Sequence, residues 1–152
     1  MHKAASTETA LDLESCRAAY PVWFDERIRN GDTDQFGHVN NTSIVGYCEA
    51  GRMALVAEPV IQKHLAGLVF VVASLNARFE RELFYPGTVS IGTAVTTIGN
   101  SSFTVSQVLF GPSGRFASCD AVCVVLDKHI NKPVRIPEAV RAYFARVSKQ
   151  QG

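Results

Sequence analysis

Residues 31–58, GDTDQFGHVNNTSIVGYCEAGRMALVAE, contain the pattern that decides the fold. Apolar side chains recur at helical spacing in this stretch, which predicts one long helix over residues 40–58. Asn40 or Asn41 supplies the N-cap, and Pro59 comes just after the predicted end. The turn-rich start of the stretch therefore leads directly into the N-terminus of a helix.

Gly46 and Gly51 lie inside this helix, although glycine there costs about 1 kcal/mol relative to alanine. A helix that keeps them is expected to be approached closely by another element. Strands are predicted over residues 22–29, 69–83, 88–98, 102–110 and 116–126. Short turns join the last four strands, which makes them antiparallel. The sequence predicts an α+β fold in which a five-stranded antiparallel sheet wraps around one long central helix.

The composition is that of one globular domain. The chain has 152 residues, 47% of them hydrophobic, and 15 Lys and Arg against 14 Asp and Glu leave a net charge of +1. This balance excludes intrinsic disorder and argues against general nucleic-acid binding, because no basic excess is present to neutralise phosphates. The longest apolar run, residues 68–73, is far shorter than the ~18 residues of a membrane span.

Two further features bear on domain organisation and cellular setting. Residues 1–21 are predicted to form an N-terminal arm, and residues 22–152 a single domain. The polar arm has no apolar segment of the kind found in secretory signals. The four cysteines are too few and too scattered for a disulfide framework, so a reducing, cytoplasmic setting is expected.

Chemistry is concentrated in residues 31–41, where Asp32 and Asp34 lie in a loop directly before the predicted helix. Unpaired N–H groups at a helix N-terminus favour negative charge, and they would polarise a carbonyl and stabilise an oxyanion formed from it. A carboxylate base or nucleophile beside such groups is what acyl transfer requires. Taken alone, however, an aspartate before a helix is more often an N-cap or loop residue.

The string over residues 32–41 resembles the D-x-D-x-x-G-H-V-N-N pattern of hotdog-fold acyl-CoA thioesterases of the 4-hydroxybenzoyl-CoA thioesterase type. Tyr47, Glu49 and Arg52 follow at the family's spacing, and the resemblance covers roughly residues 22–145. It implies a hotdog fold, hydrolysis of an acyl-CoA thioester, and no metal or organic cofactor. The pattern indicates the superfamily far better than it indicates the acyl group.

The resemblance also assigns roles within the motif. Asp34 matches the family's catalytic carboxylate, and the backbone N–H of Asn41 matches the group that polarises the thioester carbonyl. Gly37 allows the tight approach to the helix. His38 follows the pattern and is counted with the catalytic set, although a structural or substrate-contacting role is favoured for its side chain. Asp32 is expected only to shape the turn.

The expected substrate-binding residues lie on the helix and on the next strand. The set is Asn40, Ile44, Tyr47, Ser74 and Asn76. Many relatives have an aromatic side chain at the position of Ile44, so the acyl pocket is expected to have its own shape here. Glu49 and Arg52 are expected to pair along the helix. Cys119 and Cys123 are expected to be small buried side chains rather than zinc ligands.

Association is also implied by the resemblance, and two other functions stay open. Family members join two sheets edge to edge, so a homodimer or homotetramer with active sites at the dimer interface is expected. Candidates for holding the CoA phosphates are Arg115, Lys128, Lys132 and Arg135. A hydratase or dehydratase on the same fold would carry a D-x-N-P-x-H motif, which the sequence lacks. A non-catalytic acyl-CoA-binding module would not need Asp34.

Overall fold

The structure, a computed structural model, describes residues 12–151. Its helices are α1 over residues 12–19, α2 at Asn41–Val56, the short α3 at Pro59–Gln62 and α4 at Glu138–Arg146. Its strands are β1 at Val22–Ile28, β2 at Leu68–Phe79, β3 at Gly87–Ile98, β4 at Ser102–Gly111, β5 at Gly114–Asp127 and β6 at Lys132–Pro133. None of the helices in the described part of the chain is long and apolar enough to cross a membrane.

The strands form one antiparallel sheet in the order β1-β3-β4-β5-β2, with the two-residue β6 paired to the end of β5. The five long strands around one long helix confirm the predicted α+β class and hotdog arrangement. Short turns join β3 to β4 and β4 to β5, so these strands are neighbours both in sequence and in the sheet. Strands β1 and β2 form the two edges.

The central helix α2 lets the sheet approach very closely at one of its two glycines. A Cβ atom at Gly51 would lie 2.5 Å from Ile91 Cγ2 and 2.6 Å from Gln107 Nε2, so β3 and β4 pack directly on the helix backbone there. This confirms the expected close approach at Gly51. The same expectation is wrong for Gly46, which is exposed and where an added Cβ would meet no described atom within 4 Å.

The core lies between α2 and the helix-facing side of the sheet. Around the first half of α2, Ile44, Tyr47 and Cys48 pack with side chains of β1, β3, β4 and β5. Around its second half, Leu55 packs in a cluster that also contains Phe144 of α4. Burial of this apolar surface, at roughly 25 cal/mol per Å², holds the helix against the sheet.

The outer face of the sheet is partly covered by the N-terminal segment. A third apolar cluster consists of Tyr20, Ala94, Val108 and Phe110, with Leu13, Cys16 and Ala19 packed against them. Residues 12–20 of the predicted arm therefore pack on the domain, while residues 1–11 lie outside the described residues. The domain boundary at residue 21 stays a prediction.

The C-terminal residues also contact the sheet. Lys149 N donates to Val95 O, in the part of β3 that does not pair with β1.

The largest boundary error concerns the strand predicted over residues 69–83, which ends at Phe79. The amides of residues 80–81 both donate to Phe116 O, and this shared acceptor interrupts the regular ladder. Residues 80–86, called the crossing segment below, then pass to β3 in irregular form. The two-residue strand β6 is not among the predicted strands.

The edge strand β2 carries an exposed apolar stripe, formed by Val72, Leu75 and Phe79. These side chains are 47%, 37% and 45% exposed, although their partners on β5 are buried residues that face α2. Because paired side chains share one face of a sheet, the stripe lies on the helix-facing side, where α2 leaves it uncovered. The outer backbone edge of β2 is unpaired within residues 12–151. Proteins usually cover an open edge of this kind.

Candidate active site

The loop before α2 is a tight hairpin whose two arms lie side by side. Asp34 N donates to His38 O at 2.9 Å, and Asn40 N donates to Asp32 O at 2.8 Å, on either side of an isolated β-bridge. Gly37 closes the turn at φ +88°, and its N–H donates to Asp34 O at 3.2 Å. Such a φ favours glycine. The backbone pairing places Asp34 directly opposite His38.

The Asp34 carboxylate is only partly engaged by the protein. Its Oδ1 accepts from Phe36 N at 2.9 Å, which forms an Asx turn at the tip of the hairpin. The side chain is half-buried, and no donor within residues 12–151 reaches its Oδ2. One carboxylate oxygen is therefore free to take up a proton or to attack an electrophile.

Asp32, in contrast, is held by several groups of the protein. Its Oδ2 accepts from Arg29 N at 2.9 Å and from Tyr47 Oη at 2.6 Å, and its carbonyl accepts from Ser43 Oγ at 3.1 Å. Burial and the hydrogen bond to Asp32 raise the pKa of Tyr47, so its hydroxyl stays protonated and donates. These contacts give the predicted turn-shaping role of Asp32 a structural basis.

The N-terminus of α2 presents a free backbone donor. Asn40 is the N-cap, and its Oδ1 accepts from Thr42 N at 2.9 Å and from Thr42 Oγ1 at 2.8 Å. Asn41 N finds no acceptor in the described part of the chain. Since the first N–H groups of a helix carry partial positive charge, Asn41 N–H can donate to an incoming carbonyl or oxyanion.

Asn41 lines a pocket of about 250 Å³ between the start of α2 and residues 79–83. His38, Val39 and Ile44 also line it. The structure thus brings together three of the predicted site residues, from the hairpin and the first turn of the helix. Asp34 is not among the residues that line this pocket, and its backbone pairs with that of His38, which does line it.

The pocket also contains a polar pair, His38 and Glu82, that the motif does not predict. His38 Nε2 lies 3.4 Å from Glu82 Oε1, and 63% of the Glu82 side chain is exposed. Glu82 comes close because Val39 N donates to Leu83 O at 2.7 Å, which fastens the crossing segment to the hairpin. No sequence signal near Glu82 indicates this contact.

The remaining predicted substrate-binding residues lie in different surroundings. The side chain of Tyr47, on α2, is buried, and its hydroxyl already donates to Asp32. Ser74 and Asn76 pair with outward-facing residues of β5 and lie on the exposed outer face of β2. Within one chain these two are on the opposite side of the sheet from α2. Their contact with a substrate stays a prediction.

The expected pairing of Glu49 and Arg52 along the helix surface is wrong. Instead of pairing with Glu49, Arg52 is buried, and its Nη1 donates to Gln107 Oε1 at 3.3 Å. Gln107 Nε2 in turn donates to Cys48 O at 2.9 Å and to Thr93 Oγ1 at 3.1 Å. This buried network connects α2 with β3 and β4, which gives Arg52 a structural role.

The four cysteines are free thiols, and three of them are in the core. Cys119 and Cys123 are buried, as predicted for small apolar side chains, and Cys48 is buried beside them. A hydrogen bond with Cys119 and burial raise the pKa of the Cys48 thiol, which favours its protonated form. Residues 12–151 contain no group of three or more His, Cys, Asp or Glu side chains placed to hold a metal ion.

Comparison with protein families finds one match, the Thioesterase-like superfamily, over residues 28–144. The match spans the hairpin, α2, the strands after β1 and most of α4. The chain therefore belongs to the Thioesterase-like superfamily, and this membership supports thioester hydrolysis as its general chemistry. A search of curated proteins finds no match.

Solved structures of the same fold include the PA5185 protein from Pseudomonas aeruginosa strain PAO1, which is 24% identical with a TM-score of 0.79 over 90% of this chain and 97% of that one. A thioesterase from Thermus thermophilus, complexed with coenzyme A and Zn, is 26% identical, with a TM-score of 0.72 and coverage of 82% and 98%. The DHNA-CoA thioesterase from Staphylococcus aureus is 16% identical, with a TM-score of 0.74 and coverage of 83% and 89%. With the family match, these structures confirm the predicted resemblance to hotdog-fold thioesterases.

Proposed function

We propose that this protein hydrolyses an acyl-CoA thioester to a carboxylic acid and CoA. The observation that carries the proposal is one hairpin that joins a carboxylate with a free oxygen, on Asp34, to a helix N-terminus with a free N–H, on Asn41. A base or nucleophile and an oxyanion donor are the two parts that acyl transfer requires. Membership of the Thioesterase-like superfamily and the CoA complex of the Thermus thermophilus relative support this substrate class.

In the proposed reaction, the thioester carbonyl oxygen accepts a hydrogen bond from Asn41 N–H, which polarises the carbonyl. Asp34 then acts in one of two ways. It takes a proton from a water that attacks the carbonyl carbon, or it attacks that carbon itself and forms a mixed anhydride that water hydrolyses. In both routes the negative charge of the tetrahedral intermediate lies near the N-terminus of α2. The C–S bond breaks, and the CoA thiolate takes up a proton.

The other residues of the proposed site have different places in the fold and different proposed roles. Gly37 holds the hairpin turn, and His38 and Ile44 form part of the pocket wall. Asn40, which caps α2, is adjacent to the oxyanion donor. Tyr47 is proposed to support the acyl pocket from beneath. Ser74 and Asn76, on the outer face of β2, would contact substrate only in a site shared between two subunits.

We further propose that two copies associate through β2. Within the described chain this strand has an unpaired backbone edge and the exposed stripe of Val72, Leu75 and Phe79. Antiparallel pairing of two β2 strands would continue the sheet across the dimer and cover the stripe. Phe79 also lines the pocket at Asn41, so the dimer would bring the active sites to its interface. Pairs of such dimers would give a homotetramer.

Release of free thiol tests the proposed activity. The purified protein is incubated with short, medium, long and aromatic acyl-CoAs, and a thiol reagent follows the appearance of CoA. We expect release well above the uncatalysed rate for at least one class. The preferred class then defines the size of the acyl pocket, and no release from any class would contradict the proposal.

Two other functions would give different results in the same assay. Tight binding of an acyl-CoA without thiol release would indicate a non-catalytic acyl-CoA-binding protein. A change in enoyl absorbance without thiol release would indicate a hydratase or dehydratase. The His38–Glu82 contact at 3.4 Å favours this second candidate, because that chemistry uses a histidine with an acidic partner.

A further inference from the structure

A second cleft lies where β1 ends, outside the reaction site described above. It has a volume of about 560 Å³, and its walls are residues 27–30 and residues 85–88. The first wall is the end of β1 with the turn that follows, and the second is the start of β3 with the residues before it. The polar side chains of the cleft are Arg27, Arg29, Asn30, Tyr85 and Thr88.

The cleft contains two guanidinium groups, of which only that of Arg29 lies within 4 Å of a carboxylate among the described residues. Among the described residues, the Arg27 guanidinium has no hydrogen-bond acceptor and no carboxylate within 4 Å. Arg29 Nη2 lies 3.6 Å from Glu26 Oε1, and 73% of the Arg29 side chain is exposed. An exposed ion pair at this distance contributes little. Both guanidinium groups are therefore available to an anion.

The basic residues that the sequence suggested for the CoA phosphates do not line this cleft. Arg115 makes a bidentate contact with Glu80 at 2.8 and 2.9 Å, and this contact raises the pKa of the Arg115 guanidinium. Arg135 donates to a carboxylate and an amide of the same chain. Lys128 and Lys132 lie at the β5–β6 end of the sheet, several strands away from β1. The two arginines of this set are thus already paired.

The arginine cleft and the pocket at Asn41 are the two ends of a row of three cavities that share lining residues. An intermediate cavity of about 220 Å³ shares residues 81–83 with the Asn41 pocket, and it shares Tyr85 and Pro86 with the cleft. The crossing segment thus runs along all three cavities. Residues 82–87 span at most ~17 Å when fully extended, a distance of the order that the pantetheine arm of CoA bridges.

We propose that this cleft binds the 3′-phosphorylated ADP end of the CoA thioester, with Arg27 and Arg29 on its phosphates, and the inference rests on the proposed function. Guanidinium groups bind phosphate oxygens in a bidentate geometry and keep their charge at neutral pH. The Tyr85 ring is 49% exposed and lines both the cleft and the intermediate cavity, so it offers a flat surface to the adenine. The pantetheine arm follows the crossing segment and delivers the thioester carbonyl to Asn41.

The test compares a thioester that carries the nucleotide with one that lacks it. KM and kcat are measured for one acyl-CoA and for the matching acyl-pantetheine thioester, in the native protein and in Arg27→Gln, Arg29→Gln and Arg146→Gln. We expect each cleft variant to raise KM for the acyl-CoA about tenfold, because a charge-assisted contact is lost. KM for the acyl-pantetheine thioester and kcat for both should stay at native values. Arg146→Gln, which removes one exposed positive charge on α4 and lines none of the three cavities, should change nothing.

Two results would overturn the proposal. One is equal KM values for the two thioesters in the native protein, and the other is an equal rise for both in the cleft variants. A protein that hydrolyses neither thioester contradicts the proposed function instead. In that case calorimetric titration with CoA tests whether the cleft binds the nucleotide. Weaker CoA binding in Arg27→Gln and Arg29→Gln than in the native protein supports the proposed cleft, and unchanged binding refutes it.

Discussion

Tyr47 Oη donates to Asp32 Oδ2 at 2.6 Å, so a buried side chain in the second turn of α2 holds the turn that leads into the active-site hairpin. The Asp32 carbonyl accepts at the same time from Asn40 N, at the N-cap of that helix. Asp34, two residues further on, is therefore placed by contacts with the helix as well as by the hairpin itself. Tyr47 is in this account a positioning residue for the proposed chemistry.

Removal of the Tyr47 hydroxyl should loosen the hairpin. In Tyr47→Phe the Asp32 carboxylate loses a donor, and we expect the free energy of unfolding to fall by about 2 kcal/mol, as for other hydrogen bonds to charged groups. Because small misplacements of a catalytic group slow a reaction strongly, kcat should fall about tenfold. Tyr143→Phe is the matched control, since it removes a donor to Leu55 O, 2.9 Å away in the core. It should lower stability by about 1 kcal/mol and leave kcat unchanged, so equal kcat values in both variants speak against the positioning role.

The raised pKa of this hydroxyl predicts how the stability of the protein depends on pH in the alkaline range. Burial and the hydrogen bond to Asp32 raise the pKa of Tyr47, and burial raises the pKa of Tyr143 to about 12. A tyrosine of the unfolded chain titrates near pH 10, so above that pH the folded state holds protons that the unfolded state has lost. The stabilisation is complete below about pH 10 and is lost as the pH rises further. Urea unfolding should show a less steep loss in Tyr47→Phe than in the native protein, and identical pH profiles would be inconsistent with a raised Tyr47 pKa.

Two glycines of α2 should respond in opposite ways to the same substitution. Gly51→Ala places a methyl group 2.5 Å from Ile91 Cγ2 and 2.6 Å from Gln107 Nε2, and the overpacking should destabilise the protein by about 1–3 kcal/mol. Gly46→Ala meets open space and should stabilise the protein by up to about 1 kcal/mol, since alanine is the better helix former. Urea unfolding of both variants measures the difference. A Gly51→Ala variant as stable as the native protein would refute the close packing of sheet and helix.

The sequence predicts the secondary structure well where a local pattern is sufficient. The bounds of α2 and β4 differ from the predicted ones by two residues or fewer. The strand predicted over residues 69–83 is too long, because no turn signal follows Phe79 until Pro86. Its true end depends on Phe116 O, a contact with a distant strand that local pattern cannot indicate.

For the candidate site, the motif predicts the hairpin and the helix N-terminus. It does not predict which residues from other parts of the chain lie opposite them. His38 and Asn41 meet at one pocket because a short stretch of chain holds them close together. Glu82 reaches the same pocket only because the crossing segment is fastened to the hairpin. Arg27 and Arg29 face that segment at its other end. Such positions follow from the way the sheet folds around α2, which spacing in one sequence does not indicate.

Association through β2 can be tested with one charged side chain. Leu75→Arg places a charge in the exposed stripe, and a charge there opposes edge-to-edge pairing of strands. We expect light scattering during gel filtration to give at least twice the chain mass for the native protein and the monomer mass for the variant. Ile130→Arg, which changes another exposed apolar side chain, should leave the native mass unchanged. A native protein that runs as a monomer would contradict the proposed interface.

The most direct test of the whole account is the rate of thiol release in Asp34→Asn, measured with the acyl-CoA that the native protein hydrolyses best. Asparagine keeps the size of the side chain and an acceptor for Phe36 N, so the hairpin should stay folded while the base or nucleophile is lost. We predict that kcat falls by about 100- to 10,000-fold, the usual contribution of such a group, with an unchanged melting temperature. A folded Asp34→Asn variant that releases CoA at the native rate would contradict the account.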